Sequence, residues 1–254
     1  SGSNFTDNHA TEYGGAIYIN SGVHFDVNNS NFNNNSAFQG GAIITYANVN
    51  INNCNFTNNT ATVNGGGAIY TNNFLNITGS VFTGNNADYG GAICSLASIY
   101  VSNSTFTNNS ALNSNVGGGA IVLWNNNNNI VVINSTFLSN TANGYGAAIY
   151  ERLNGNVDIT NSTFISNKAS AGGAVYGNGN VDINASNFID NIAITSGGAV
   201  YGVSNVNVMD SNFLNNTAIN NNGGALYGNN NVVVVSNSTF TNNTAVRGGA
   251  IYDT

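Results

Sequence analysis

The side chains able to carry chemistry are few: ten carboxylates, three basic residues, two histidines and two cysteines in 254 residues. Asp158 and Asp182 sit in matching contexts, Val157-Asp158-Ile159 and Val181-Asp182-Ile183, and Asp26 stands in the same slot far upstream. Two carboxylates one strand spacing apart could share Ca²⁺; the alternative is a pair of solvated acids. No arginine or lysine occupies that slot or its neighbours, so nothing there completes an acid–base pair. His9 and His24 have no Cys or Glu at ligand spacing, and there is no nucleophile–base pair or zinc pattern. The Gly-Gly-Ala triplets are not phosphate loops, because they lack a lysine and a following helix. The expectation is therefore no catalytic residues, no metal site, no cofactor and no enzyme.

What positions these residues is a repeat. Ser-x-Phe-x-x-Asn-x-Ala, a short gap, then Gly-Gly-Ala-apolar-Tyr recurs ten times, with phenylalanines at Phe5, Phe32, Phe56, Phe82, Phe106, Phe137, Phe164, Phe188, Phe213 and Phe240, separated by 24 to 31 residues. Self-similarity at this period signals a solenoid, propeller or array. Upstream of each phenylalanine lies an alternating apolar pair such as Val49-x-Ile51 or Ile99-x-Val101, which reads as a strand with one buried face. The Gly-Gly-Ala-Ile-Tyr and Ser-x-Phe pieces supply two more short strands, and no gap carries the 3.6-residue period of a helix. Three strands in about 25 residues cannot bury an apolar side alone, but stacked copies can. Propeller blades need longer units, and the leucine-rich signature is absent. The expected fold is all-β: one parallel β-helix domain over residues 1–254, about ten coils of 24–31 residues with three short strands each, right-handed by the general rule for parallel crossovers. At one strand spacing per coil the rod is on the order of 50 Å long.

In that arrangement identical residues stack. Phenylalanines form an internal column, and the asparagines three residues after them, Asn8, Asn35, Asn59, Asn85, Asn109, Asn140, Asn167, Asn191, Asn216 and Asn243, form a ladder in which each amide bonds the next. The tyrosine slot, alternating with the buried isoleucine, faces out: Tyr150, Tyr176, Tyr201, Tyr227 and Tyr252 make a stripe over five consecutive coils. Tyrosine is a favoured contact residue, so the stripe is either a contact surface or a ladder that stabilises the sheet. The main irregularity is Leu112–Asn129, which holds the only tryptophan, Trp124, and five consecutive asparagines. Insertions of this kind become loops, often on a binding face, and Trp124 joins the candidate contact residues.

Composition narrows the setting. Charged residues are 5% of the chain, the net charge is −7, asparagine numbers 58 and proline is absent. So few cations argue against nucleic acid and against polybasic attachment to lipid. Proline would break a ladder in a fold of central strands. Cys54 replaces a serine and Cys94 a tyrosine, slots on different faces, so two free buried thiols are expected. No signal peptide or membrane span is visible, so no direct membrane insertion is expected of this segment. Neither end carries a cap, which suggests covalent continuation in a longer chain or end-to-end stacking on copies of itself. Fourteen Asn-x-Ser/Thr sequons, among them Asn55, Asn103, Asn134, Asn161 and Asn237, are candidate N-glycosylation sites in an exported protein.

The repeat itself resembles known ones. Gly-Gly-Ala-Ile paired with Phe-x-x-Asn is similar to the repeats of chlamydial polymorphic outer-membrane proteins. The asparagine-rich form, Asn-Ser-Thr-Phe-x-x-Asn-x-Ala followed by Gly-Gly-Ala-Ile-Tyr, resembles the adhesin-like surface proteins of methanogenic archaea. Each motif is short, yet ten copies in register cover essentially the whole chain. The resemblance implies a right-handed parallel β-helix, export, and a role in surface adhesion or in a cell-surface structure, and it supplies no ligand. The adhesin expectation is that the tyrosine stripe or the Trp124–Asn129 protrusion contacts a partner cell or surface glycan. The competing expectation is a purely structural stalk, sheath or filament subunit, favoured by the near-identity of the coils.

Overall fold

In the computed structural model, residues 1–22, 24–229 and 233–254 are described, and they form a parallel β-solenoid without helix. Four sheets run its length. Ten three-residue strands carrying the phenylalanines, from Asn4–Thr6 to Thr239–Thr241, form one; ten strands that follow the Gly-Gly pairs, from Ile17–Ile19 to Ile251–Asp253, form the second. The alternating segments, His24–Asn28 to Val233–Ser236, form a nine-stranded third. Each strand pairs in parallel with its equivalent one coil away, in register: Phe106 with Phe137, Ile69 with Ile93, Asp158 with Asp182.

The fourth sheet corrects the expectation of three strands per coil. Eight two-residue strands, Ser36–Ala37 to Thr217–Ala218, stack directly after the asparagine ladder. The extra corner comes from a residue in the left-handed region two positions after each phenylalanine, at Asp7, Asn34, Asn58, Asn108, Ser139, Ser166, Asp190, Asn215 and Asn242 with φ between 53° and 56°, and at Gly84 with φ 65°. It turns the chain before the buried asparagine. A second left-handed corner precedes the serine slot, at Asn103, Asn134 and Asn161 among others. Asparagine tolerates this region better than other non-glycine residues, which explains part of its abundance.

The core is a column. Phe32 to Phe213 are fully buried, and consecutive rings from Phe5 to Phe240 lie 4.6–4.9 Å apart with interplanar angles of 1–8°. The strand spacing sets that distance, since each ring is attached to a strand one rung from the next. Isoleucine, valine and alanine from the other sheets complete one continuous cluster.

The asparagine ladder satisfies every polar atom it buries. Asn85 Nδ2 donates to Asn109 Oδ1 at 2.9 Å and to the Phe56 carbonyl at 3.0 Å, and the Asn85 backbone N–H donates to the same Asn109 oxygen. Its own Oδ1 accepts from the N–H and Nδ2 of Asn59. An amide has two donors and two lone pairs, and here all four are used across three coils. The ladder runs from Asn8 to Asn243. The serine slot forms a parallel ladder: the Ser80 N–H donates to Ser104 Oγ, whose hydroxyl donates to the Ser102 carbonyl.

The glycine pairs have two distinct reasons. The first of each pair has positive φ, 74° at Gly66, where a Cβ would come 2.3 Å from the Ile69 carbonyl oxygen. The second is a close approach between coils: a Cβ on Gly67 would lie 2.1 Å from the Gly91 oxygen. Both cysteines are free and buried, and burial raises both thiol pKa values, so neither is a ready nucleophile.

Candidate contact surface

The Gly-Gly strands alternate buried and outward residues, and the outward column is where aromatic contact residues stand. From Tyr176 onward it is a half-exposed stack: Tyr176 to Tyr201 at 4.5 Å, Tyr201 to Tyr227 at 4.6 Å, Tyr227 to Tyr252 at 5.6 Å. Burial raises the hydroxyl pKa values of Tyr176 and Tyr201, the latter to about 12, so both remain neutral hydrogen-bonding groups.

Two of the expected contact residues are not open surface. Tyr150 is only 6% exposed and forms a cluster outside the main core with Cys94 and Val122, packed over by Tyr89, Val116, Trp124, Tyr145 and Tyr176. Alternation does turn Tyr150 outward, but the residues directly before Gly90 and Gly146, Tyr89 and Tyr145, pack over that face. Trp124 is half-buried between neighbours, with the Tyr89 ring at 4.5 Å and the Arg152 guanidinium over its face at 4.2 Å. What stands free of the expected Trp124–Asn129 protrusion is Asn125–Asn127 and Asn129.

One residue of this region escaped the sequence reading. Glu151, directly after Tyr150, is fully buried. Its Oε1 accepts the N–H groups of Leu153 at 2.7 Å and Gly155 at 3.0 Å; its Oε2 accepts those of Asn178 at 2.9 Å and Gly179 at 2.8 Å. In earlier coils the same slot holds Ile19, Thr45, Thr71, Ser95 and Leu123, and the hydroxyls of Thr45, Thr71 and Ser95 each accept the N–H two residues on. In the following coil it is Gly177. The carboxylate thus fastens the turns of two successive coils. Burial raises its pKa, and the four amides, each favouring the ionised form, hold that rise down. The sign follows: a folded-state pKa above the unfolded value gives stabilisation that is complete below the unfolded pKa of about 4.3 and lost as pH rises through the folded one. Relative to Glu151→Gln, the wild type should therefore lose stability as pH rises over that interval and differ from it by a constant amount above. Urea midpoints of both proteins across pH 4–8 (about 4.3 being the ordinary glutamate value) would show it; a wild-type advantage growing with pH would mean that the amides dominate.

The acid pair lies on the third sheet. Asp158 and Asp182 are register partners lining an open trough of about 310 Å³ with Asn207, Met209 and Val234. Asn207 Nδ2 donates to Asp182 at 2.6 Å. Asp158 has a raised pKa, from partial burial first and Asp182 second. Among the described residues no group of three or more His, Cys, Asp or Glu is placed to hold a metal ion. Asp26, in the same slot, pairs with His24 at 2.7 Å and accepts from Asn50, which together lower its pKa, Asn50 more than His24.

The sequons Asn55, Asn103, Asn134, Asn161 and Asn237 are all exposed. Asn103, Asn134 and Asn161 stack at one left-handed corner in consecutive coils, Asn161 donating to Asn134 at 2.7 Å. Among the described residues no helix is long and apolar enough to cross a membrane.

Six stretches, residues 2–20, 53–72, 79–96, 103–123, 134–150 and 237–254, match the family model of the Chlamydia polymorphic membrane protein repeat. Together they cover somewhat under half of the chain, and most run from the corner before a phenylalanine strand to the end of the next Gly-Gly strand. Comparison with curated proteins and with solved structures gives no match.

Proposed function

We propose that this chain is a length of a cell-surface protein in which the β-solenoid is a rigid scaffold for attachment to a partner cell or to a surface glycan. The observation that carries the reading is the recurrence, in six coils, of a repeat named for a membrane protein. The half-exposed tyrosine stack from Tyr176 to Tyr252 supports it as a contact surface, because large, rigid, amphipathic rings make contact area at low entropic cost. The exposed sequons fit export, with glycans carried at the corners. The setting is extracellular, no cofactor is required, and nucleic acid is not the partner of so acidic a chain. We propose no enzymatic role: Asp158 and Asp182 have no basic residue beside them in their trough.

A second reading has its own support. The uniform phenylalanine spacing and the unbroken ladders suit a stalk or filament segment, whose partners are further coils of the same kind. The two readings separate experimentally. Beads coated with the chain should adhere to cells of the source organism or to glycan-coated surfaces, and Tyr176→Ala/Tyr201→Ala should reduce adherence several-fold at a temperature where circular dichroism shows the variant fully folded. Equal adherence of the variant would sink the aromatic-contact version. Electron microscopy of labelled native protein should show separate projections; continuous fibres would favour the filament.

A further inference from the structure

Arg152 is one of three basic residues in a chain of net charge −7, and its charge is unanswered. Among the described residues no carboxylate lies within ion-pair distance of it, and no acceptor meets its guanidinium hydrogens. Its sequence neighbour Glu151 does not neutralise it, because both Glu151 oxygens are filled by four backbone amides on the inner side of the strand. The group is nonetheless held. Its Cζ lies over the Trp124 ring, 4.2 Å from the centroid, and its backbone is fixed at both ends, the N–H donating to the Leu123 carbonyl and the carbonyl accepting from Asn178. Stacking uses the face of a guanidinium and leaves the N–H groups pointing outward in its plane.

We propose that Arg152 is the anchor of a subsite for an acidic saccharide, taking the carboxylate of a hexuronate residue. The inference rests on the attachment reading and names a ligand class for it. A planar carboxylate matches the guanidinium fork in two parallel hydrogen bonds. The surroundings suit a sugar ring: Tyr89 and Tyr145 are half-exposed beside the cluster and offer apolar ring surface to C–H groups, while Asn125 and Asn126 offer exposed amides to hydroxyls. The Tyr89 hydroxyl gives its hydrogen to Asn64 Oδ1 at 2.8 Å, which leaves its oxygen to accept from a sugar hydroxyl. This is also the stretch where the repeat breaks its pattern. The slot that holds Trp124 and Arg152 is filled by Asn20, Tyr46, Asn72, Leu96, Asn178, Val203, Asn229 and Thr254 in the other coils.

The test is calorimetric titration of the chain with trigalacturonic acid and with its methyl ester. Wild type should bind the acid, more weakly as salt rises, and the ester at least about tenfold less well, the scale of a lost charge-assisted pair. Arg152→Gln, checked by circular dichroism for an unchanged melting curve, should lose the acid by a similar factor. Absence of acid binding, equal binding of acid and ester, or retention by the folded variant would each overturn the subsite. The ester and salt comparisons need no variant and stand if the substitution perturbs folding. Bead adherence run alongside separates the two claims: adherent wild-type beads without acid binding would leave attachment standing and remove the subsite, whereas acid binding without adherence would do the reverse.

Discussion

Phe137→Ala is expected to destabilise the rod by about 3–5 kcal/mol, at the upper end for a core truncation. Phe137 is fully buried, with Phe106 stacked at 4.8 Å on one side and Phe164 at 4.9 Å on the other. The hole left behind cannot collapse easily, because the flanking rings are tied to strands whose spacing is set by backbone hydrogen bonds. In a solenoid each coil touches only its neighbours, so stability is approximately a sum of coil and interface contributions. A gap at the centre weakens two interfaces and should lower the cooperativity of unfolding as well as the midpoint. Phe5→Ala, at a ring only partly buried, should cost clearly less. Urea denaturation followed by Trp124 fluorescence and by circular dichroism would give midpoint and slope for both. A central variant no worse than Phe5→Ala would mean that the column is not the core's main support.

The second large effect concerns Asn140. Its oxygen accepts the backbone N–H and the side-chain amide of Asn109, and its own amide donates to Asn167 Oδ1 and to the Phe106 carbonyl. Asn140 and its ladder neighbours are fully buried. Asn140→Ala leaves at least two donors and one acceptor without partners; at about 1–3 kcal/mol for each, a loss on the order of 3–9 kcal/mol is expected. Asn140→Asp is the sharper experiment. A carboxylate can still accept from Asn109, but it faces the Asn167 oxygen and the Phe106 carbonyl with no hydrogen to give. The buried acid should have a raised folded pKa, so its variant is most stable below the unfolded value of about 3.9 and weakens as pH rises through the folded one. Asn140→Asp should recover stability on acidification, and Asn140→Ala should not. Parallel behaviour of the two would mean that the ladder's hydrogen-bond polarity is unimportant.

Much of this was legible in the chain because the fold repeats it. Phenylalanine, asparagine and Gly-Gly recur in phase, and in-register stacking turns a one-dimensional period into columns. The fourth sheet was not legible, since two residues such as Ser36–Ala37 are too few to show alternation; the clue was the asparagine or other small polar residue two places after each phenylalanine. The tyrosine stripe was half legible. Alternation gives the direction of Tyr150 but not the turn residues, Tyr89 and Tyr145, that cover it. Glu151 was hidden because its partners lie partly in the next coil, and Arg152 because its significance depends on the neighbour that does not pair with it. The trace each left is a departure from the repeat: an acid inside the rod in a slot that is mostly threonine, serine and glycine, and a cation above the only tryptophan.

The direction of the backbone hydrogen bonds has a mechanical consequence. They join each coil to the next along the rod axis, at sequence separations of about one repeat. A tensile load along that axis meets the coils in series and peels the end coil first, breaking a few bonds at a time instead of shearing a whole sheet at once. Each coil of 24–31 residues that lets go releases on the order of 80–110 Å of extended chain, against about 4.8 Å of folded rise. Under sudden pulling such a rod yields by reeling out line while the coils behind the break keep their shape.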